Sequence, residues 1–123
     1  YDNVVNEVFD FLEEKINFAI EKGLKSEKII IDPGIGFGKR LNDNLQLMKN
    51  LKTFKDLKVP LLLGASRKRF INDILQNTDT AERLEGSLAA LAAGMLGDID
   101  IVRVHDVKES KKFLDVFNAI LKS

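Results

Sequence analysis

The sequence of 123 residues contains no cysteine, only two prolines and a single histidine. Without cysteine there is no disulfide framework, no zinc–thiolate site and no thiol nucleophile. The formal net charge is zero, which argues against a surface that binds nucleic acid or membranes electrostatically. No apolar run approaches the roughly 20 residues that span a bilayer, and the first residues do not resemble a signal peptide. We therefore expect one soluble domain in the cytoplasm, with a core drawn from the 45% of residues that are hydrophobic.

What the sequence does contain is a buried-strand pattern that ends in an acid, a proline and a glycine-rich loop. Three isoleucines at 29–31 are typical of a strand buried on both faces of a parallel sheet. Asp32 and Pro33 stop the run, and glycines follow at 34, 36 and 38. A carboxylate and one large apolar residue, Phe37, thus stand at the carboxyl end of a strand, where α/β folds build their sites.

Periodicity predicts helices and strands in alternation along the chain. The predicted elements are a helix over 1–22 ending at Gly23, a strand over 29–31, a helix capped by Asn42 or Asp43, a strand over 60–65, a short helix through Leu75, a helix over 80–96 capped by Asp79 or Thr80, a strand over 100–104 and a helix over 108–121. A first helix followed by three strand–helix units predicts an α/β fold with a parallel sheet.

Three of these helices have an apolar stripe, and a fourth is rich in small residues. The predicted stripes are Val5, Val8, Phe9, Leu12, Ile16, Ala19 and Ile20 in the first helix, Leu47, Met48, Leu51 and Phe54 (or Leu45, Met48 and Leu51) in the second, and Phe113, Val116, Phe117, Ile120 and Leu121 in the last. The small residues between 86 and 94 predict close packing of the 80–96 helix against a sheet or a partner helix.

All three predicted strands end in polar residues. The second strand ends in Ser66, Arg67 and Lys68, and the third in Arg103 and His105, which strand alternation places on one face. In a parallel sheet these ends and Asp32 lie on the same side. A carboxylate, a lysine, an arginine and the only histidine suit a polar heterocycle beside an anion, because arginine can both stack on a ring and pair with phosphate.

Each feature also has a purely structural interpretation. Asp32 before a proline can start a turn, the basic SRKR segment at 66–69 can be a solvated loop, and His105 can belong to a helix cap. The glycine spacing is not that of a dinucleotide-binding loop or a P-loop, and we expect no helix directly behind it. The functional interpretation is favoured because polar residues end all three strands of one short chain.

Three motifs resemble dihydropteroate synthase, the folate-pathway enzyme that sulfonamides inhibit. They are DPGIGFGK at 32–39, GASRK at 64–68 and VRVHDV at 102–107, in that family's order and approximate spacing. The resemblance covers essentially the whole chain. It implies a (β/α)8 TIM barrel, which typically needs about 250 residues. The chain therefore corresponds to a partial barrel, with three parallel strands and flanking helices, at the carboxyl-terminal end of a pterin-binding domain (residues 1–123).

The resemblance also implies a reaction and its site residues. The reaction joins 6-hydroxymethyl-7,8-dihydropterin pyrophosphate to p-aminobenzoate, with Mg²⁺ bound mainly through the pyrophosphate. The implied catalytic residues are Lys68, Arg103 and His105, and the implied substrate-binding residues are Asp32, Phe37, Gly64, Ser66, Lys68, Arg103 and His105. Asp32 would bind pterin N–H groups, Arg103 and His105 the pyrophosphate, and Phe37 and Ser66 would border the aminobenzoate pocket. Position 69 is Arg, where the resemblance leads us to expect a small residue at the outer wall of that pocket.

Two alternatives remain open at this point. One is the pterin-binding domain of a methyltetrahydrofolate methyltransferase, which shares the barrel. The other is a non-catalytic half-barrel with a partial pterin and anion site, the behaviour we expect of the 123 residues alone. An open barrel exposes two strand edges and half its interior, so we also expect a homodimer or other self-association.

Overall fold

The structure, a computed structural model, describes residues 3–76 and 83–123. Within these residues the chain forms five α-helices and two short strands. They are α1 (Val4–Glu21), α2 (Leu41–Lys49), β1 (Leu62–Leu63), α3 (Arg69–Leu75), α4 (Leu84–Leu96), β2 (Ile101–Val102) and α5 (Val107–Lys122), with short 3-10 helices at Ser26–Lys28 and Leu51–Leu57. The helices and the two strands follow one another in the predicted order, but the predicted strand at 29–31 does not form as a strand.

The sheet is parallel, as predicted, but its strands are shorter than the apolar runs. Leu62 and Leu63 pair with Ile101 and Val102, and the isoleucine run adds only a parallel bridge from Ile31 to Leu61. The prediction of a strand buried on both faces is wrong for Ile30, which is 56% exposed. Among the described residues, this run pairs with the sheet along one edge only. No described element packs on the face that carries Ile30, and its side chain is therefore exposed.

Helix α1 packs a narrower face than its apolar stripe suggests. Its buried residues are Val4, Leu12 and Ile16, whereas Ile20 is 46% exposed, contrary to prediction. The helix ends one residue earlier than expected, with Lys22 as the C-cap. Gly23 follows with φ +101°, and the N–H groups of residues 23 and 24 return to the carbonyls of residues 20 and 19. This pairing is a Schellman motif, which lets the chain reverse toward the sheet.

Helix α2 begins three residues after the glycine loop, which corrects two predictions. Its N-cap is Arg40, not Asn42 or Asp43, and a helix does open directly behind the loop. Asp43 acts at the third helical position, where its carboxylate accepts the backbone N–H of Arg40 at 3.0 Å. The first of the two predicted apolar faces is confirmed: Leu47, Met48, Leu51 and Phe54 are all buried.

Helix α4 packs closely, as its small residues predict. A Cβ on Gly94 would lie 2.5 Å from a methyl of Leu63 in β1, and one on Gly86 would overlap Ile71 of α3. Only glycine therefore allows α4 to approach both the sheet and α3. The predicted QNTD break at 76–79 and the predicted helix start at Asp79 or Thr80 fall almost entirely outside the described residues; of them only Gln76 is described, in a left-handed conformation after α3.

Helix α5 begins at Val107 and leaves most of its predicted apolar stripe uncovered. Val116, Ile120 and Leu121 are more than half exposed, whereas Phe113 and Phe117 stack on each other with ring centroids 5.5 Å apart. No element in the described part of the chain covers the outer half of this stripe, so burial of the whole stripe is not observed. Across residues 3–76 and 83–123, none of the helices has the length and apolar character needed to cross a membrane.

Candidate functional site

The carboxyl ends of the three chain segments in the sheet lie at the same edge, because every pairing between them is parallel. At the first end, the Asp32 carboxylate accepts the backbone N–H of Gly34 at 2.8 Å. Asp32 therefore does start a turn, as the structural interpretation predicts. Its second carboxylate oxygen has no hydrogen-bond donor among the described residues, so it remains an exposed acceptor at the strand end.

The glycine loop after Asp32 is held by two side chains that the sequence analysis did not single out. Buried Asn44 of α2 accepts the N–H of Gly36 at 2.8 Å, and the ammonium of Lys39 donates to the carbonyls of Gly34 and Phe37 at 2.8 and 3.1 Å. Burial lowers the pKa of Lys39, against the opposing effect of nearby carboxylates. Fixed in this way, the loop projects the Phe37 ring outward, where it is 62% exposed.

Lys68 joins the second strand end to this loop. Its ammonium nitrogen stands 4.2 Å from the centre of the Phe37 ring, a cation–π distance. The Lys68 chain also passes so close to Gly36 that a Cβ at that position would lie 3.2 Å from the lysine Cδ. Since Gly36 has φ +89°, both the backbone conformation and the approach of Lys68 favour glycine there. Lys68 and Phe37 are therefore in contact.

Ser66 and His105 join the second and third strand ends. The buried hydroxyl of Ser66 accepts the backbone N–H of His105 at 3.2 Å and lies 3.0 Å from Nδ1 of its ring. β2 ends at Val102, so the position of His105 comes from Ser66 and not from strand alternation. The Ser66 hydroxyl is thus already engaged within the chain.

Arg103 lies over the second strand end at Gly64. A Cβ on Gly64 would come within 2.8 Å of a terminal guanidinium nitrogen of Arg103, so the guanidinium rests against bare backbone. The Arg103 side chain is exposed, and it has no hydrogen bond or ion pair with any residue the structure describes. A planar, unpaired guanidinium with open space above it can stack on a ring or pair with an anion.

Arg67, between Ser66 and Lys68, is clamped from three directions. Its N–H donates to the Ser87 hydroxyl at 2.9 Å, its carbonyl accepts from Arg83 at 2.7 Å, and its guanidinium pairs with Asp106 at 2.6 Å. These bonds hold a non-glycine residue at φ +55°, in the left-handed region. The hydrogen bonds from Arg67 lower the pKa of Asp106, and Asp106 in turn raises the pKa of Arg67.

This clamp was not identified from the sequence. Arg67 and Asp106 fall within two of the quoted motifs, so the sequence placed them near the site, but no sequence pattern reveals that the two side chains pair with each other. Ser87 and Arg83 carry no such signal, since they belong to a helix that otherwise serves packing.

The described cavities place the predicted residues in separate spaces. Asp32 and Phe11 line one of about 370 Å³ against α1, Lys68 lines another, and Arg103 borders a small one beside β1. No hydrogen bond or ion pair joins Asp32 to Lys68 or Arg103 within the described chain. The structure thus brings together Phe37 with Lys68, Ser66 with His105 and Gly64 with Arg103. The prediction that all of them form one pocket stays a prediction.

Comparison with known proteins resolves the family. The profile described as "Pterin binding enzyme" matches residues 1–105. The chain belongs to this pterin-binding enzyme family. Its resemblance to dihydropteroate synthase is confirmed: the chain is 43% identical over 123 residues to the dihydropteroate synthase of Clostridium beijerinckii and 41% identical to that of Escherichia coli, covering 99% and 100% of this chain.

Solved structures of dihydropteroate synthases are also similar. The enzyme from Xanthomonas albilineans in complex with 7,8-dihydropteroate superposes with a TM-score of 0.98 at 39% identity, covering 100% of this chain and 47% of that one. The Thermus thermophilus enzyme in complex with 4-aminobenzoate superposes with a TM-score of 0.91 at 39% identity, covering 97% and 46%. A Yersinia pestis enzyme bound to a sulfonamide drug has a TM-score of 0.95 at 32% identity, covering 100% and 44%.

This member of the pterin-binding enzyme family spans less than half the length of its curated relatives. It covers 45% of the Clostridium beijerinckii protein and 43% of the Escherichia coli protein. The match therefore assigns the family and the local fold of these 123 residues.

Proposed function

We propose that residues 1–123 form the carboxyl-terminal part of a dihydropteroate synthase, built as the last three strand–helix units of a (β/α)8 barrel. The proposed reaction condenses 6-hydroxymethyl-7,8-dihydropterin pyrophosphate with p-aminobenzoate to give 7,8-dihydropteroate and pyrophosphate. The observation that carries it is the contact between successive strand ends, Phe37 with Lys68 and Ser66 with His105. Similar structures of dihydropteroate synthase in complex with 7,8-dihydropteroate and with 4-aminobenzoic acid support the choice of substrates.

The free groups at the sheet edge suit the substrates by their chemistry. The unused oxygen of Asp32 is an acceptor for an N–H of the pterin ring, and the unpaired guanidinium of Arg103 can stack on that ring or pair with the pyrophosphate. His105 stands beside the same strand end and adds a second donor for the anion. Lys68, over the Phe37 ring, supplies positive charge on the aminobenzoate side.

In the proposed reaction the amine nitrogen of the aminobenzoate forms a bond to the exocyclic carbon of the pterin. The bond from that carbon to oxygen breaks, pyrophosphate leaves with the electron pair, and the new ammonium loses one proton to solvent. The chain's contribution is to hold the ring, the leaving anion and the amine in line, which is catalysis by positioning and charge stabilisation. No strong general base is required, because the arylamine attacks in its neutral form.

The resemblance implies a Mg²⁺ ion bound mainly through the substrate pyrophosphate, a mode of binding that needs only one or two protein carboxylates. Within residues 3–76 and 83–123, no three His, Asp or Glu side chains come together as metal ligands. The proposal therefore leaves the ion on the oxygens of the pyrophosphate, and no step is derived through it. The predicted cytoplasmic location likewise stays a prediction.

The decisive experiment is calorimetric titration of this chain with a pterin and, separately, with pyrophosphate. We expect Asp32→Asn to abolish pterin binding and Arg103→Ala to weaken both ligands by tenfold or more. Asp10→Asn and Lys111→Ala, exposed on α1 and α5, are the matched controls and should bind as the wild type does. Pterin binding that survives Asp32→Asn contradicts the assigned role of that carboxylate.

For the isolated 123 residues we propose a non-catalytic half-barrel that self-associates, as a homodimer or larger. This second candidate is favoured by the exposed apolar residues Ile30, Ile101, Val116, Ile120 and Leu121. Light scattering should give a mass above that of one chain, and the double variant Val116→Ser/Ile120→Ser should lower it. A stable monomer at high concentration contradicts this proposal, and synthase activity restored by an added amino-terminal half supports the first one.

A further inference from the structure

The glycine loop at residues 34–38 has two halves that are anchored differently. In the first half, the Asp32 carboxylate accepts the N–H of Gly34 at 2.8 Å, and the Ile35 side chain is only 1% exposed. The second half, residues 36–38, is exposed throughout and contains two glycines with φ +89° and +61°. Because glycine loses more conformational freedom on folding than any other residue, this half needs cross-links to keep one conformation.

The Lys39 side chain supplies two of these cross-links. It folds back into the loop, where its ammonium donates to the carbonyl of Gly34 at 2.8 Å and to that of Phe37 at 3.1 Å. The fit is close, since a Cβ on Gly34 would lie 3.2 Å from the lysine nitrogen. The N–H of Phe37 also donates to the Gly34 carbonyl, at 3.1 Å. One ammonium thus ties the anchored half of the loop to the exposed half, at the residue that carries the aromatic ring.

The contact between Phe37 and Lys68 depends on this arrangement of the loop. The Lys68 ammonium stands 4.2 Å from the centre of the Phe37 ring, and a cation–π contact at an exposed site is weak. It therefore cannot keep a mobile loop in place by itself. The bond from the Gly36 N–H to Asn44 fixes the backbone before Phe37, but it does not fix the Phe37 carbonyl, to which Lys39 donates.

We infer that Lys39 is a positioning residue, whose ammonium holds the Phe37 ring against Lys68 and so shapes the wall on which the aminobenzoate packs. The inference rests on the proposed function, in which Phe37 and Lys68 lie on the aminobenzoate side. Asp32 keeps its own bond to the loop backbone, so its carboxylate does not depend on Lys39 in the same way. Removal of the ammonium should therefore weaken binding of the aminobenzoate more than binding of the pterin.

The test uses the absence of cysteine from the chain, which allows a single introduced thiol to be modified alone. Lys39→Cys removes the ammonium, and alkylation with bromoethylamine then converts the cysteine into a thioether that ends in an ammonium at the length of lysine. The readout is the NMR signal of the Lys68 ε-methylene protons in the chain without ligand, which the ring current of Phe37 shifts upfield. Lys68→Arg assigns this signal, and Phe37→Leu gives its position without the ring.

We expect the Lys68 signal of Lys39→Cys to move to its position in Phe37→Leu, and alkylation to return it to the wild-type position. Lys111→Cys, taken through the same alkylation, is the matched control, because Lys111 is an exposed lysine that also donates to an acceptor. A Lys39→Cys signal that stays upfield, or one that alkylation does not restore, overturns the inference. Loss of the core methyl signals in Lys39→Cys also overturns it, because Lys39 would then be needed for the whole fold.

Calorimetric titrations with p-aminobenzoate and, separately, with a pterin extend the test to binding. Lys39→Cys should lower the aminobenzoate affinity about fivefold, the usual cost of ordering one side chain on binding, and the pterin affinity by less than about twofold. An equal loss for the two ligands overturns the inference. A wild-type chain that shows the upfield Lys68 signal but binds neither ligand contradicts the proposed function instead, and the NMR comparison then decides the role of Lys39 by itself.

Discussion

The second and third strand ends are joined very differently from the first and second. Ser66 bonds to His105, and Arg67 bonds to Asp106, so that the later two ends form a hydrogen-bonded junction. The first end meets the second only through the Lys68 chain, which crosses Gly36 and stands over Phe37. One junction is made of directional bonds within the chain, and the other is a contact between a flexible cation and an exposed ring.

This difference shows where the chain is organised before any ligand arrives. The hydrogen-bonded junction fixes the backbone that presents Arg103 and His105. These two side chains, which are proposed to bind the pyrophosphate, therefore need little rearrangement when the ligand binds. On the loop side, the Asp32 carboxylate and the Lys68 ammonium keep unused hydrogen-bonding capacity toward ligands. In the proposed enzyme, the pterin and the aminobenzoate would complete the contacts that this side lacks.

The largest expected loss of stability comes from breaking the later junction at Ser66. Ser66→Ala removes the buried hydroxyl that accepts the His105 N–H and also lies 3.0 Å from Nδ1 of the His105 ring. We expect the free energy of unfolding to fall by about 2 kcal/mol, because two hydrogen bonds with a typical net value of about 1 kcal/mol each are lost. Urea unfolding measures it. Ser26→Ala is the control, because Ser26 is exposed and its hydroxyl has no hydrogen-bond partner among the described residues; an equal loss in both variants contradicts the role given to Ser66.

A smaller loss is expected on the loop side. Asn44→Ala removes only the acceptor of the Gly36 N–H, which is one hydrogen bond where Ser66→Ala removes two. We expect about 1 kcal/mol in the same urea experiment, a typical net value for one hydrogen bond. Asn42→Ala, exposed two residues earlier on α2, is the matched control. A loss larger than that of Ser66→Ala would reverse the comparison between the two junctions.

The order of elements and the site motifs could be predicted because each depends on local sequence. The isoleucine run, the Asp32-Pro33 stop and the helical stripe through Leu47 and Phe54 are local patterns, and the structure has a sheet pairing at the first, a turn at the second and helical turns at the third. The positions of Phe37 and Lys68 after their strands follow from the same patterns. These features need no information about distant residues.

The rest required information that no local pattern contains. The burial of Ile30 and Ile120 was overestimated, because burial depends on whether another element covers a face, and the described elements leave both exposed. The N-cap of α2 was misplaced because Asp43 acts from inside the helix. The pairing of Arg67 with Asp106 joins residues 39 positions apart, so only the folded chain brings them together.

The junction can also be tested without lowering stability. Gly64→Ala would place a Cβ 2.8 Å from the Arg103 guanidinium, and that group is the far end of a flexible side chain that can move away. We expect a change of less than about 0.5 kcal/mol in unfolding free energy, the usual range for substitutions without a buried conflict. Pyrophosphate affinity should nevertheless fall several-fold, because Arg103 leaves its position. Gly97→Ala, which meets Leu51 and the backbone instead, should show the opposite pattern: lower stability and unchanged pyrophosphate binding.

The smallest expected effect is a pH dependence that distinguishes the two regions. Hydrogen bonds from Arg67 lower the pKa of Asp106 at the junction, and those from Arg40 lower the pKa of Asp43 beside the loop. A carboxyl whose pKa is lower in the folded chain stabilises the fold above its unfolded pKa of about 3.9 and loses that contribution as the pH falls through the folded value. Thermal unfolding recorded between pH 6 and pH 2.5 should therefore shift less steeply in Asp106→Asn than in the wild type, and likewise in Asp43→Asn.

Because Arg67 also supports the strained backbone between Ser66 and Lys68, pyrophosphate binding should weaken along with stability at low pH in the wild type, and Asp43→Asn should leave that coupling intact. If the wild type and Asp106→Asn lose stability in parallel down to pH 2.5, the ion pair does not hold the junction, and the backbone bonds of Arg67 to Ser87 and Arg83 hold it by themselves.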